Sequence, residues 1–320
     1  MPLIETVRGP IDASELGRTL PHEHVFVLQP EALQNYGKVW GASYWDEEER
    51  VADAIERLGE VRAAGIATIF DPTAPGLGRN IPRIQRVNEA VDLHMVVASG
   101  IYAFLELPGF LGYRSDDQIT ELFVRELREG IDDTGVKAAF LKCAVEEHGL
   151  VGDIPRILRT VAAASIETGA PVMVHTNAIF KTGLPALEAL TGHGVDPRNV
   201  IVAHAGDSND MAYLREIADT GAWLGCDRFG IEHFNPLEDR IATLLRLLEA
   251  GWEDRIHLSH DAGCFMDFMV ENPPFAEENP DYLLLTNTVI PRLLEEGVTQ
   301  EQLDRMMVDN PRAFLAAPEV

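Results

Sequence analysis

Residues 20–26 read Leu20-Pro21-His22-Glu23-His24-Val25-Phe26, with two histidines one residue apart. Alternate side chains of an extended strand share a face, so His22 and His24 are predicted to project together while Glu23 points the other way. Two converging imidazoles make half of a metal site. A bare His-x-His also fits ordinary core packing. The metal interpretation therefore depends on finding further ligand types at the ends of other strands.

The rest of the chain alternates between apolar, β-rich runs and segments with helical periodicity, such as the one containing Val51, Ile55, Leu58 and Val61. Strands separated by single helices imply parallel pairing with right-handed crossovers, and eight of them predict a closed (β/α)8 TIM barrel. An open doubly wound sheet is less favoured because no GxGxxG motif follows the first strand. The predicted strands are 18–26, 67–72, 93–102, 136–143, 171–176, 200–204, 223–228 and 255–261.

Capping residues mark the predicted helix boundaries. Three helix starts are expected: Ser115 with its capping-box partner Gln118, Ser208 before Met211, and Asn310 before Pro311. Glycine fills the left-handed position at a helix end without steric cost. Six glycines stand where a helix should stop: Gly65, Gly130, Gly169, Gly194, Gly221 and Gly251. A further helix is predicted over about 283–296, and a short hairpin near 3–11.

No internal repeat, low-complexity tract or linker interrupts this alternation, so a single domain over residues 1–320 is predicted. Three connections are longer than a barrel usually needs, at 27–45, 103–114 and 262–282. Long βα loops cover the C-terminal mouth of a barrel, where binding sites are built.

The composition of the chain limits which binding partners and which cellular compartment are expected. The 320 residues are 46% hydrophobic and carry a formal net charge of -26, which argues against nucleic acid or an anionic membrane as partner. No apolar run is long enough for a membrane span, and the start lacks a signal-peptide pattern. Cys143, Cys226 and Cys264 show no CxxC pairing, which suits reduced thiols. A cytoplasmic location is predicted.

Residues at the C-terminal ends of barrel strands face one another across the mouth, so ligands far apart in sequence meet there. A histidine or aspartate at one such end is usually a core or capping residue, but the combined set is not expected by chance. It consists of His22 and His24 after strand one, Lys142 after strand four, His175 after strand five, His204 after strand six and Asp261 after strand eight.

Lys142 is the most informative member of this set. A lysine that closes the apolar run 138–141 faces burial as an unpaired cation, which costs several kcal/mol unless it is paired or neutralised. A neutral lysine could form a Schiff base with a carbonyl substrate, as in barrel aldolases. Alternatively it reacts with carbon dioxide to give a carbamate, an anionic ligand able to bridge two cations. Four histidines and a carboxylate nearby favour the carbamate.

The constellation resembles the binuclear pattern of the amidohydrolase superfamily. Over nearly its full length the chain is more closely similar to the phosphotriesterase-like lactonases. The motifs that carry the resemblance are Thr19-Leu20-Pro21-His22-Glu23-His24, Gly76-Leu77-Gly78-Arg79, Ser99-Gly100-Ile101-Tyr102, His204-Ala205-Gly206-Asp207, Gly225-Cys226-Asp227-Arg228-Phe229-Gly230, Ser259-His260-Asp261 and Asp309-Asn310-Pro311.

The resemblance implies a role for each ligand and a homodimer. His22, His24 and Asp261 would hold the more buried of two divalent metal ions, His175 and His204 the more exposed one, and N6-carboxylated Lys142 would bridge both. Tyr102 would lie beside the exposed metal, and Arg228 would contact it and shape the pocket. Zinc is the first candidate for the metal, with cobalt, iron or manganese as alternatives.

The expected reaction is lactone hydrolysis by a bridging hydroxide, with Asp261 as proton acceptor and Tyr102 orienting the ester. The resemblance points to N-acyl-homoserine lactones, hence to quorum quenching, with phosphotriester hydrolysis as a side activity. An apolar channel for the acyl chain is predicted from Phe26, Phe229, Phe265, Met266 and Phe268, although these residues could equally pack the loop onto the barrel.

Three alternatives remain open from the sequence. A phosphotriester hydrolase, or an amidohydrolase acting on another lactone or a cyclic amide, would use the same metals. A Schiff-base aldolase would use Lys142 without metal. A non-catalytic carbohydrate-binding or metal-binding barrel would keep the histidines and hydrolyse nothing.

Overall fold

The computed structural model describes residues 2–40, 44–267 and 280–316, and its central feature is a sheet of eight parallel strands. In sheet order the strands are β3 (Thr19–Leu20), β5 (Thr68–Asp71), β6 (His94–Gly100), β7 (Phe140–Val145), β8 (Val172–Thr176), β9 (Val200–Ala203), β10 (Trp223–Cys226) and β11 (Ile256–Leu258). Each of these eight strands pairs with the next one in this order, and helices lie between them in the chain. The predicted (β/α)8 TIM barrel is confirmed.

The first predicted strand is interrupted, which the sequence analysis did not anticipate. Pro21 lacks the backbone N–H that a ladder requires, and β3 ends just before it. The chain resumes as β4 (His24–Val27), which pairs in parallel with β12 (Gly263–Met266). Just before β4 and β12 begin, the Asp261 amide donates to the His22 carbonyl at 3.1 Å. The first and eighth strands therefore meet through the segments that carry the predicted ligands.

Helices flank the barrel between and after the strands, and two of them lie within the connections 27–45 and 103–114 that were predicted only as long loops. The helices are α1 (Pro30–Trp40), α2 (Glu47–Ala63), α3 (Ile81–Ala90), α4 (Gly109–Gly112), α5 (Asp116–Arg128), α6 (Ile154–Thr168), α7 (Gly183–Gly192), α8 (Met211–Asp219), α9 (Leu237–Glu249), α10 (Ile290–Glu295), α11 (Gln300–Asp304) and α12 (Asn310–Leu315). The hairpin is present as β1 (Leu3–Ile4) and β2 (Ile11–Asp12). No helix in these described ranges is both long enough and apolar enough to cross a membrane.

One predicted helix start is confirmed and two are corrected. Ser115 caps α5 in a capping box with Gln118, and all six predicted glycines have positive φ. Helix α8 is capped by Asp210 rather than Ser208, because the Asp210 carboxylate accepts from two amides of the first turn. Asn310 caps nothing: the helix runs into it from a π-helical turn, and its side chain donates to two carbonyls near β11.

Side chains on the inner face of the barrel form a closed apolar layer below the mouth. Phe70, Phe140, Met173 and Ile201 belong to this layer, together with Phe314 from the C-terminal helix. Because alternate residues of a strand share a face, the next inward position after Phe140 is Lys142. The same step of two residues leads from Met173 to His175. The strands therefore present polar side chains directly above a dry layer, at their C-terminal ends.

Candidate metal centre

Four of the predicted ligands converge at the mouth of the barrel. The Nε2 atoms of His22 and His24 each lie 3.3 Å from Asp261 Oδ1, and His204 Nε2 lies 3.8 Å from Asp261 Oδ2. One donor atom from each of His22, His204 and Asp261 falls within 4.8 Å of the others. The break after β3 does not separate the His-x-His pair, since both imidazoles face the same carboxylate.

The other two predicted ligands border this cluster. His175 Nδ1 lies 2.9 Å from His204 Nε2, and Lys142 Nζ lies 3.3 Å from His22 Nε2. The Lys142 side chain is 1% exposed, and burial lowers its pKa to about 8. The structure thus brings together all six predicted side chains, which come from positions 22 to 261 of the chain.

Two sets of buried polar side chains contact the Nδ1 atoms of three of the imidazoles. Asp227 accepts from two of them, with Oδ2 at 2.7 Å from His22 Nδ1 and Oδ1 at 2.9 Å from His204 Nδ1. His24 Nδ1 lies 2.7 Å from the Thr73 hydroxyl, which in turn donates to Asp71. The Nδ1 atoms of His22, His24 and His204 therefore each have an oxygen partner, which leaves their Nε2 atoms directed at the centre.

Charge and burial act together at this site. Burial alone would raise the pKa of Asp227, but the adjacent His204 and His22 lower it well below its usual range. Burial likewise opposes ionisation of Asp261, and His22, Arg228 and His204 outweigh it, so the pKa of Asp261 is also well lowered. Desolvation lowers the pKa values of His22 and His204. Burial thus favours the neutral form of these two imidazoles, which is the form that coordinates a metal.

The residues present fit a divalent metal centre. Histidine ligands in metalloproteins donate their second ring N–H to a carboxylate, carbonyl or water, and here Asp227 occupies that position for two imidazoles. Imidazole nitrogen with carboxylate oxygen suits zinc and several other first-row ions. His204 and Asp261 also hold positive φ angles of 65° and 56°, unusual for residues other than glycine. Strained backbone of this kind is concentrated at functional sites.

Tyr102 and Arg228 lie at the rim of the centre. The Tyr102 hydroxyl donates to Glu146 Oε1 at 2.5 Å and lies 3.4 Å from both ring nitrogens of His175. Arg228 Nε donates to Asp261 Oδ2 at 2.9 Å. Glu146 Oε2 lies 3.1 Å from His175 Nε2, so this carboxylate joins the tyrosine to a predicted ligand.

A cavity of about 550 Å³ opens from the centre. Its polar lining includes the predicted ligands apart from His204, together with Tyr102, Glu146, Asn177 and Arg228. We call five of its apolar lining residues the apolar wall: Leu77, Phe104, Ile231, Phe234 and Met266.

The predicted acyl channel needs correction. Met266 lines the cavity as predicted, but Phe26, Phe229 and Phe265 are buried in the protein core outside it. Phe26 and Phe265 pack edge-on against Trp45, at centroid distances of 5.6 and 5.4 Å. Phe268 lies outside the described residues. The alternative interpretation, packing of the loop onto the barrel, therefore holds for Phe26 and Phe265.

Sequence reasoning missed several residues that the structure places at the site. Asp227 was contained in the motif around Arg228, but no role at the site was predicted for it. Glu146 follows Lys142 by four positions on the same strand end, which is the signal that could have found it. Phe104 and Phe234 of the apolar wall come from irregular segments and carry no periodic signal. Their position depends on how the loops fold over the mouth.

The fold and the site together define a class of protein, the metal-dependent hydrolases built on a (β/α)8 barrel. The chain belongs to the phosphotriesterase family, whose model matches residues 2–315. It is 46% identical to the phosphotriesterase homology protein of Mycobacterium tuberculosis, covering 98% of this chain and 97% of that protein.

Two further comparisons agree with this assignment. The chain is 34% identical to the aryldialkylphosphatase of Saccharolobus solfataricus, covering 96% of this chain and 97% of that protein. The structure of the phosphotriesterase from Mycobacterium tuberculosis superposes with a TM-score of 0.93 at 46% identity, covering 98% of each chain. The protein is thus a metal-dependent hydrolase of the phosphotriesterase family.

Proposed function

We propose that this protein hydrolyses N-acyl-homoserine lactones, and so quenches quorum signals, with phosphotriester hydrolysis as a secondary activity. The observation that carries the proposal is one cavity of about 550 Å³ that is lined both by five of the six predicted ligands and by the apolar wall. An acyl-homoserine lactone combines the same two characters, since it has a reactive polar ring and an aliphatic chain. The sequence resemblance to phosphotriesterase-like lactonases supports the same substrate.

In this proposal two divalent cations occupy the centre. His22, His24 and Asp261 would hold one, His175 and His204 the other, and N6-carboxylated Lys142 would join them. Zinc is the first candidate, with cobalt, iron or manganese as alternatives. When bound, such a pair of cations supplies a water of lowered pKa and positive charge for a developing oxyanion.

The chain's own residues would orient the substrate and move the proton. Asp261, with Oδ2 accepting from Arg228 Nε at 2.9 Å, would accept a proton from the attacking water and return it to the leaving alkoxide. The Tyr102 hydroxyl would orient the ester carbonyl. Arg228 is fixed by carboxylates on two sides, Asp261 and Asp207, which keeps its guanidinium at the rim of the cavity.

The apolar wall would select the acyl chain. Leu77 and Phe104 come from the loops after β5 and β6, while Ile231 and Phe234 come from the loop after β10. Burying a methylene group contributes about 0.8 kcal/mol, so each added pair of methylenes that the wall covers should tighten binding about 15-fold. Chains too long for the cavity should gain nothing further.

A metal-exchange assay tests the proposal. The protein is stripped with a chelator and reloaded with zinc, cobalt, iron or manganese in bicarbonate. It is then assayed with a long-chain N-acyl-homoserine lactone, paraoxon and a dihydropyrimidine. The expected result is metal-dependent turnover with the highest kcat/KM for the lactone. Activity that is insensitive to the chelator, together with a substrate Schiff base on Lys142 that borohydride reduces, would instead support the aldolase alternative. The absence of hydrolysis with every substrate would support a binding protein.

Phosphotriester hydrolysis as the main activity is a second candidate. It is favoured by one observation, the 34% identity to a protein named aryldialkylphosphatase over nearly the full length of both chains. The same assay decides between the two, since a kcat/KM for paraoxon above that for every lactone tested would reverse the assignment.

The homodimer and the cytoplasmic location predicted for this protein are also part of the proposal. Size-exclusion chromatography with light scattering tests the first, and a particle of monomer mass at micromolar concentration would contradict it. Fractionation of the host cells tests the second.

A further inference from the structure

Asp261 adopts a backbone conformation that its side chain does not favour. Four residues other than glycine have positive φ in the described part of the chain, and two of them, His204 and Asp261, belong to the centre. An L-residue in this region is disfavoured by roughly 1–2 kcal/mol, so neighbouring contacts must hold it there. For His204 the contact is Asp227 Oδ1, which accepts from the His204 amide at 2.8 Å.

Glu23 makes the corresponding contacts around Asp261. Its Oε2 accepts from the Ala262 amide at 2.9 Å, and its Oε1 accepts from the His260 amide at 3.0 Å. These amides flank Asp261 on either side. One carboxylate therefore spans the turn that directs the Asp261 side chain at the centre.

Glu23 is fully buried and accepts further hydrogen bonds on the same side. Oε1 lies 2.7 Å from His260 Nδ1 and accepts from the Ser259 hydroxyl, also at 2.7 Å. Ser259 Oγ in turn accepts from the His22 amide at 3.0 Å. Four donors therefore meet this one carboxylate, three of them at Oε1 and one at Oε2.

The position of Glu23 in the fold gives these contacts a second effect. Strands β3 and β11 are the first and last strands in the sheet order. The strand structure is interrupted between β3 and β4, starting at Pro21. Glu23 lies in this break and reaches the segment after β11. It therefore joins the backbone that carries His22 and His24 to the backbone that carries Asp261.

We propose that Glu23 is a positioning residue of the metal centre: its carboxylate clamps the left-handed turn at Asp261 and sets the spacing between that ligand and the His22–His24 pair. This inference rests on the proposed function, since it takes those three residues to be metal ligands. Glu23 points away from the cavity and would touch neither metal nor substrate.

The substitution Glu23→Gln isolates this role with little change in volume. The glutamine side chain keeps one acceptor oxygen and replaces the other with an NH2 group, which is a donor. This NH2 group would face a backbone N–H that is also a donor, so no hydrogen bond forms there. At least one of the two flanking amides then loses its partner, and the turn at Asp261 is no longer held from both sides. The ligand spacing should loosen while the rest of the barrel is unchanged.

The test compares metal binding in Glu23→Gln with a matched control, Asn88→Ala. Asn88 is likewise fully buried and donates to two carbonyls, of Val91 and Leu93, but it contributes nothing to the centre. Cobalt affinity is measured by competition with a chelating dye, together with the visible spectrum of the cobalt-loaded proteins and their melting temperatures. We expect Glu23→Gln to lower cobalt affinity about 10- to 100-fold and to alter the spectrum. Asn88→Ala should lower only the melting temperature.

The outcomes separate the inference from the proposed function. If the wild-type protein binds no cobalt, the proposed function itself fails. If the wild type binds and Glu23→Gln matches Asn88→Ala in affinity and spectrum, the positioning role is wrong. Should Glu23→Gln prove insoluble, Ser259→Ala removes one donor to the same carboxylate together with the acceptor of the His22 amide. Unchanged cobalt affinity and spectrum in that variant would equally overturn the inference.

Discussion

Asp261 lies among three imidazoles and one guanidinium, and the proposed proton transfer depends on its carboxylate. Asp261→Asn keeps the shape of the side chain but removes a basic oxygen, so kcat for lactone hydrolysis should fall about 10²- to 10⁴-fold with little change in KM. The measurement is steady-state kinetics at metal contents matched by elemental analysis. A metal-replete variant with an unchanged kcat would remove Asp261 from this role.

His257 offers a pH-dependent test at a residue outside the proposed ligand set. It is buried between Trp223 and Phe314, at ring-centroid distances of 5.1 and 5.8 Å, and burial lowers its pKa to about 3. The folded protein therefore keeps this imidazole neutral, whereas the unfolded chain takes up a proton below its usual pKa of 6.5. Stability supplied by the neutral imidazole is present above pH 6.5 and is lost as the pH falls toward 3.

Replacing His257 by leucine removes this one titration. The free energy of unfolding of the wild type, relative to His257→Leu, should fall by about 1.4 kcal/mol for each pH unit below 6. Urea denaturation of both proteins, stripped of metal, at pH 7, 6 and 5 provides the measurement. Other titrations are common to both proteins and cancel in the difference. A difference that stays constant with pH would show that His257 is protonated in the folded state.

At the scale of elements, the junction of β6 and β7 depends on one glycine. Gly100 has φ of +109°, and a Cβ there would lie 2.0 Å from the Lys142 carbonyl oxygen. Gly100→Ala should therefore destabilise the protein by about 3 kcal/mol, from overpacking and backbone strain together. Gly65→Ala is the matched control, since Gly65 has φ of +92° and no atoms within 4 Å of its Cβ position, so it should cost only about 1 kcal/mol of strain. Denaturant midpoints compare the two, and equal losses would contradict the steric argument.

The elements also show where local pattern is sufficient and where it is not. The Ser115 capping box was predicted because both partners lie within four residues of each other. The break after β3 was not, because the segment containing His24 pairs with Gly263, far along the chain. Local apolar periodicity contains no information about such a partner, so 18–26 was taken for one continuous strand.

For the whole molecule, metal binding should contribute to stability. The proposed ligands come from positions 22 to 261 of the chain, so ions bound among them link the first strand to the last. Saturation at 100 times the dissociation constant adds about 2.7 kcal/mol, which should raise the melting temperature by about 5 °C or more over the chelated protein. Differential scanning calorimetry measures this shift.

Two histidine variants serve as the matched pair for that measurement. His22→Ala removes a proposed ligand and should abolish most of the metal-dependent increase. His148→Ala removes an imidazole that is about half exposed and pairs only with Glu147 among the contacts described, so it should retain the increase. An equal metal response in both variants would contradict the ligand assignment.

The sequence by itself determined the class of fold and the polar constellation. Alternating strands and helices specify a barrel, and the barrel places every strand end at one mouth, so His22, His24, Lys142, His175, His204 and Asp261 could be grouped before any coordinate was known. Only the tertiary structure decided what holds and surrounds them. Glu23, Asp227 and the apolar wall act through contacts between residues far apart in the chain, and aromatic side chains near the mouth divide between core and cavity according to loop packing. Those contacts depend on three-dimensional complementarity, which no local pattern of residues encodes.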